Sequence, residues 1–302
     1  MMPATTLVAS RMMNRQRLSD YVELTKPRVV LMVLITTFVG YYLGSGDELD
    51  VWRLMHTLAG TTLAAGGTLT LNQFMERLRD AHMVRTRRRP LPDGRMAPIE
   101  ALVFGSVLTV GGLVYLTCLV GSLAAALTAA ITVSYLMVYT PLKSVTSLCS
   151  LVGAVPGALP PVVGWAAATG DVGLQALVLF AIMFLWQVPH TLAIGTLYRD
   201  DYARAGIRVL PVIDWSGRST GTHSVTNCMA LLPVALMPTL VGMAGTVYFA
   251  AALVLSVAFL WSAIALRRSG APGDARRLLF ASLVYLPVLL VVMALDKLPP
   301  LP

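Results

Sequence analysis

Three oxygen-bearing side chains stand four residues apart in the first third of the chain. Asn72, Glu76 and Asp80 follow the spacing i, i+4, i+8, which places them along one face of a helix. Mg²⁺ prefers oxygen ligands and usually completes its shell with waters and substrate phosphates. The spacing therefore predicts half of a magnesium site. The alternative is that the three residues only form the water-exposed end of a helix. That explanation is weaker, because acidic residues do not contribute to the positive charge that marks a cytoplasmic loop.

The same segment continues into a run of arginines. Residues 77–95 contain seven arginines, and we expect Arg85, Arg88 and Arg89 to contact a substrate. A guanidinium donates parallel hydrogen bonds to a phosphate, so metal and arginines together suit a diphosphate. In the alternative interpretation, most of these arginines only mark the cytoplasmic side of a membrane span.

A second polar cluster lies within residues 197–212, LYRDDYARAGIRVLPV. Asp200 and Asp201 are adjacent, so on a helix only one of them faces a given site. Tyr198 and Tyr202 flank the pair. We expect the cluster to complete the metal shell, although alone it is equally typical of an ordinary surface loop. Its glycine and proline interrupt the helix and predict a loop that can fold over a site.

The composition is that of a polytopic helical membrane protein. Of the 302 residues, 56% are hydrophobic and 13% charged, whereas soluble domains average about 25% charged residues. Apolar stretches of helix-spanning length recur throughout, and a β-barrel would instead show short alternating segments. The net charge of +8 does not indicate nucleic acid, because the basic residues lie beside the spans.

We predict nine spans and a single transmembrane domain, residues 28–302, after a cytoplasmic tail, residues 1–27. The predicted spans are 28–46, 55–75, 97–117, 120–140, 148–168, 172–195, 222–243, 246–266 and 277–296. Most of the 23 Lys and Arg residues then lie in loops on the N-terminal side, which predicts a cytoplasmic N-terminus. The arginines before residue 20 fit either a tail facing anionic lipid or a short mitochondrial presequence.

Three further basic residues are candidates for contact with a diphosphate. Lys26 and Arg28 open the first predicted span, and Lys143 stands alone between Arg95 and Arg199. Each is equally well explained as a topology signal beside a span.

Four stretches of the chain together resemble the UbiA superfamily of intramembrane prenyltransferases. They are LTKPRVVLMVLITTFVGYYL at 24–43, NQFMERLRDAHMVRTRRRPLPDGRM at 72–96, YTPLKSVTSLCSLVGAVPGALPPVVGW at 139–165, and FLWQVPHTLAIGTLYRDDYARAGIRVLPV at 184–212. Within the superfamily, the segments TKPR, GALPPVVGW and WQVPH are similar to the branch that prenylates haem. The resemblance implies a helical bundle around a central cavity.

The resemblance also implies two acidic motifs that bind Mg²⁺, the expected cofactor, and a prenyl diphosphate. Asn72, Glu76 and Asp80 match the first motif, with Glu76 where aspartate is commoner. The D-x-x-x-D spacing of the second motif is absent, and the sequence instead resembles the haem branch's Y-x-x-D-Y, which favours Asp201 as the functional acid. The implied catalytic residues are Asp80, Lys143, Tyr198 and Asp201.

The implied substrates are farnesyl diphosphate and haem b, the latter as acceptor rather than permanent cofactor. His190 would ligate haem iron or bond a propionate, or be an ordinary interior histidine. The expected partners are the lipid bilayer and a haem A synthase or terminal oxidase assembly. The expected location is a bacterial inner membrane, with the mitochondrial inner membrane as the alternative. The competing functions are prenylation of a quinone precursor or chlorophyllide, and ion-coupled transport.

Overall fold

Helices make up nearly all of the structure, a computed structural model that describes residues 16–299. In chain order they are α1 (16–24), α2 (Pro27–Gly44), α3 (Val51–Asp80), α4 (Pro98–Leu119), α5 (Ser122–Val133), a π-helical segment (Ser134–Tyr139), α6 (Thr140–Leu142), α7 (Cys149–Ala158), α8 (Pro160–Thr169), α9 (Leu174–Leu197), α10 (Arg199–Arg204), α11 (Leu210–Ile213), α12 (Arg218–Leu240), α13 (Thr246–Ser269) and α14 (Pro272–Leu295). The predicted all-α architecture is confirmed.

Seven segments within residues 16–299 are long and apolar enough to cross a membrane. They are α2, α4, the run from α5 to α6, the pair α7 and α8, α9, α13 and α14. The two other long helices, α3 with 30 residues and α12 with 23, are more polar. These nine segments overlap the nine predicted spans in sequence, but α3 and α12 do not reach the apolarity of a span, so the count of nine stays a prediction. The polarity of α3 is concentrated at the end that holds Asn72, Glu76 and Asp80.

Glycines bring α3 and α4 into close contact. A Cβ atom added at Gly67 would clash with the backbone of Thr109, and one added at Gly112 would clash with the backbone of Ala64. Small residues at a helix crossing let backbones approach, which is the usual way in which membrane helices gain packing energy. The α3 and α4 pair is therefore a rigid support for the polar end of α3.

The ends of α3, α6 and α9 and the starts of α2 and α4 gather at one end of the bundle, because successive long helices run antiparallel. The long connections at this end are residues 81–97, 143–148 and 198–217. Residues 81–97 form a chain of turns anchored by buried side chains, among them Met83, Leu91 and Met96. Both polar clusters predicted from the sequence therefore lie at the same end of the molecule.

The run from α5 to α6 contains the π-helical segment Ser134–Tyr139. π-helical turns are rare and are often found at functional sites. The segment ends one residue before Thr140, whose side chain reaches α3, so the irregular turn adjoins the polar end of that helix.

Candidate functional site

The α3 helix continues to Asp80 and carries all three predicted oxygen ligands on one buried face. Asn72 is 0% exposed, Glu76 7% and Asp80 2%. A buried carboxylate is costly unless it is paired with a cation and hydrogen-bonded. Because these side chains are buried, they need cationic or hydrogen-bonding partners from other parts of the chain.

Each of the three residues holds one cation. Lys26 Nζ donates to Asn72 Oδ1 at 2.9 Å, Lys143 Nζ to Glu76 Oε1 at 2.7 Å, and Arg89 Nη1 to Asp80 Oδ2 at 2.7 Å. We call these six side chains the ladder. It contains two carboxylates and three basic side chains, and these basic groups suit an anionic ligand.

Lys26 adopts an unusual backbone conformation at the start of α2. Its φ of 50° lies in the left-handed region, and among residues 16–299 no other non-glycine residue has a positive φ. Such a conformation costs about 1–3 kcal/mol and persists where the surroundings fix it, often at functional sites. Burial lowers the pKa of Lys26 to about 7, and the charges of Arg89 and Lys143 lower it while those of Glu76 and Asp80 raise it.

Lys143 and Asn72 have further contacts that fix their positions. Asn72 Nδ2 donates to Thr140 Oγ1 at 3.1 Å, and Lys143 Nζ lies 4.4 Å from the centre of the Tyr139 ring. The backbone N–H of Arg208 donates to the carbonyl of Lys143 at 2.7 Å. Thr140 and Tyr139 lie within a stretch quoted for the family resemblance, but nothing in their spacing pointed to α3.

The acidic residues of the second polar cluster contact the arginine-rich connection rather than the side chains of the ladder. Asp201 Oδ2 accepts from the backbone N–H of Arg85 at 3.4 Å and also pairs with Arg204. The Arg85 guanidinium lies 5.3 Å from the centre of the Tyr198 ring. The predicted break in the helix within the cluster is present, since α10 ends at Arg204 and Gly206 has a φ of 66°.

Other predicted site residues do not join the ladder. Asp200, Arg28 and Arg88 are exposed. Within residues 16–299, no three acidic, histidine or cysteine side chains gather closely enough to hold a metal ion. Glu76 and Asp80 are thus not brought together with Asp200 and Asp201 in one cluster, and the five-ligand shell expected from the sequence stays a prediction.

His190 lies inside the bundle on α9, against α14. Its Nδ1 is 2.8 Å from Ser282 Oγ, and its ring stacks on Trp186 with 4.9 Å between ring centres. Trp186 Nε1 donates to the backbone carbonyl of Ser282 at 2.9 Å. Ser282 Oγ donates to the backbone carbonyl of Leu279 at 2.6 Å, so it accepts from His190 Nδ1–H, and Nε2 is left as an acceptor for another partner. Sequence reasoning did not identify Ser282.

The structure is a helical bundle with the ladder at one end, and its sequence is similar to those of known proteins. Relatives named protoheme IX farnesyltransferase from Solibacter usitatus and Koribacter versatilis are 45% and 46% identical, covering 92% and 93% of this chain and 98% and 94% of their own. The profile described as the UbiA prenyltransferase family matches residues 33–284.

Solved structures agree on the fold. A structure of digeranylgeranylglyceryl phosphate synthase matches with a TM-score of 0.79 over 93% of this chain and 98% of its own, at 14% identity. A UbiA homologue from Archaeoglobus fulgidus, bound to GPP and Mg²⁺, matches with a TM-score of 0.63 over 91% and 99%, at 16% identity. The profile match over residues 33–284 and the identity to the relatives show that the chain belongs to the UbiA prenyltransferase family.

Proposed function

We propose that the protein transfers the farnesyl group of farnesyl diphosphate to a vinyl group of haem b. Carbon C1 of the farnesyl group would bond to the outer vinyl carbon while its C–O bond to diphosphate breaks. Water would add to the inner vinyl carbon and lose a proton, leaving a hydroxyethylfarnesyl side chain. The acceptor follows from the names of relatives that match this chain over nearly their whole length.

The ladder supports the donor half of the proposed reaction, in which the prenyl diphosphate is cleaved. Breaking an allylic C–O bond builds negative charge on the departing diphosphate. Lys26, Lys143 and Arg89 are already oriented by their hydrogen bonds to α3. Cations fixed in advance stabilise such charge without reorganising during the reaction, and Arg89 can offer two donors to one phosphate group.

Asn72, Glu76 and Asp80 fit a magnesium site by donor type. Two carboxylates and an amide on one helix face match an ion that is commonly bound through one or two carboxylates together with substrate phosphates. The ion would act there as a Lewis acid toward the diphosphate. Asp201, beside Arg85, is the further acid that we assign to the diphosphate region, and Asp200 is less suited because it is exposed.

The acceptor half centres on His190, Trp186 and Ser282. We assign His190 to the haem, through its free ring nitrogen, to iron or to a propionate. The apolar helices around it would keep stray water from the prenyl cation. Tyr198, Tyr202 and His190 are the candidates for the group that receives the proton lost by the added water.

We place the ladder on the cytoplasmic side of a bacterial inner membrane. The connections at the same end of the bundle, residues 81–97 and 198–217, are rich in arginine, as cytoplasmic loops are. The product would pass to a haem A synthase or to terminal oxidase assembly.

Reconstitution tests this proposal. Purified wild-type protein and the variant Asp80→Ala receive haem b, farnesyl diphosphate and Mg²⁺, and the pigments are analysed by mass. We expect a hydroxyethylfarnesyl haem from the wild type and none from the variant. Transfer of farnesyl to a phenolic acceptor, with haem unchanged, would overturn the acceptor while keeping the donor site. No transfer to any acceptor would overturn the enzyme assignment.

A further inference from the structure

Arg95 joins the arginine-rich connection to the N-terminal helix. Its guanidinium pairs with Asp20 of α1 and donates to Glu23 Oε2 of α1 at 3.3 Å. It also donates to Asp93 Oδ2 at 3.0 Å and to the backbone carbonyl of Arg88 at 2.7 Å. One side chain therefore holds acceptors from α1 and from residues 88–93.

The α1 helix is itself fixed to the bundle. Gln73 of α3 donates to the backbone carbonyls of Glu23 and Leu24, at 3.2 and 2.9 Å. Leu24 is 0% exposed and packs with Leu91, Met96 and Ala101. Since Gln73 is the next residue after Asn72, α1 is tied to the same turn of α3 that begins the ladder.

The contacts of Arg95 bracket Arg89. The carbonyl of Arg88 accepts from the Arg95 side chain, and the carbonyl of Pro90 accepts from the Arg95 backbone N–H at 3.0 Å. The residue between them, Arg89, carries the guanidinium that reaches Asp80. The backbone on both sides of Arg89 is thus held by one residue.

We infer that Arg95 is a positioning residue for the donor site, which holds Arg89 over Asp80 by clamping residues 88–93 onto Asp20 and Glu23 of α1. The inference rests on the proposed function, because it assigns Arg89 to the diphosphate of the prenyl donor. It also gives α1 a role, since α1 supplies the acids that Arg95 needs. An arginine in this place is suited to the task because its planar fork can hold several acceptors at once.

Binding of farnesyl thiodiphosphate, an analogue that resists cleavage, tests the inference in the full-length protein with Mg²⁺. Arg95→Ala should raise the Kd of the analogue about tenfold, the size of one lost charge-assisted hydrogen bond. Arg95→Lys should raise this Kd less than Arg95→Ala does, and Asp20→Asn should also raise it. Arg87→Ala is the matched control, because Arg87 is exposed in the same connection, and it should change Kd by less than about twofold.

The double variant Arg89→Ala/Arg95→Ala separates positioning from general loss of structure. If Arg95 acts through Arg89, the double variant should bind the analogue no more weakly than Arg89→Ala alone, and haem binding should be unchanged. Additive losses, or an Arg95→Ala variant that binds like wild type, would overturn the inference. If Arg95→Ala does not fold, the same comparison is made with Arg95→Lys and Asp20→Asn, each alone and combined with Arg89→Ala. Wild-type protein that binds the analogue but prenylates no haem would overturn only the acceptor assignment.

Discussion

Lys143 Nζ lies 2.7 Å from Glu76 Oε1 although 67 residues separate them along the chain. The two side chains are mostly buried, at 15% and 9% exposure. Their pairing joins the connection after α6 to the polar end of α3. It also explains how a carboxylate remains inside a membrane-embedded bundle, because a buried charge needs an opposite charge beside it.

Lys143→Met should destabilise the protein strongly. The change removes the cation and leaves Glu76 buried without a partner, which typically costs about 3–5 kcal/mol. Glu76→Gln/Lys143→Met, which removes both charges, should recover most of this stability and still fail to transfer farnesyl. Thermal unfolding in detergent, together with turnover, measures both effects. A double variant as unstable as Lys143→Met would show that the ion pair is not the cause.

Asp80→Asn should lower turnover by about a hundredfold or more, because Lewis-acid stabilisation by a metal is worth several kcal/mol. The amide keeps the size of the side chain but weakens metal binding and the pairing with Arg89. Turnover is measured against Mg²⁺ concentration, with Asp47→Asn as the control, since Asp47 is exposed at the opposite end of the bundle. If Asp80→Asn shows the same Mg²⁺ dependence as the wild type, Asp80 is not a ligand of the proposed metal site.

Ser282→Ala should weaken haem binding and leave binding of the farnesyl diphosphate analogue unchanged. Ser282 is the partner of His190 Nδ1, so its loss frees the imidazole to change tautomer or to rotate. We expect a several-fold rise in the Kd for haem, measured by absorbance titration. Ser256→Ala is the matched control, because Ser256 is also a buried serine but bonds Tyr285 instead. Equal effects of the two substitutions would point to packing rather than to haem contact.

The sequence predicted what depends on local spacing and composition. Seven of the nine segments follow from hydropathy, whereas α3 and α12 are more polar. The buried face of α3 follows from the helical repeat of Asn72, Glu76 and Asp80. Two of the three ladder contacts could not be predicted from the residues alone, because they join residues 46 and 67 positions apart. The same holds for the contact of Asn72 with Thr140, 68 positions away. Such contacts depend on how the helices pack.

The role of α1 shows the same limit. Within residues 1–27, whose cytoplasmic location stays a prediction, residues 16–24 form a helix that contacts Arg95, 75 positions away from Asp20. A segment of nine residues is too short to give the signal of a membrane span, and its partners, Arg95 and the apolar residues around Leu24, lie far along the chain. The alternative of a presequence covers residues 1–19, of which residues 1–15 lie outside the described part of the chain.

Two neighbouring glycines on α4 should respond in opposite ways to the same substitution. A Cβ atom at Gly112 would lie 2.5 Å from the backbone nitrogen of Ala64, whereas a Cβ atom at Gly111 would meet nothing within 4 Å. Gly112→Ala should therefore destabilise the bundle by about 1–3 kcal/mol through overpacking. Gly111→Ala should stabilise it by up to about 1 kcal/mol, because alanine is the better helix former.

Thermal unfolding of both variants in the same detergent provides the measurement, with turnover recorded alongside. If α3 and α4 support the ladder as one rigid pair, Gly112→Ala should also lower turnover, since a shift of α3 moves Glu76 and Asp80 away from Lys143 and Arg89. Gly111→Ala should keep full turnover. Equal melting temperatures for the two variants would mean that the close contact between α3 and α4 at Gly112 does not limit stability.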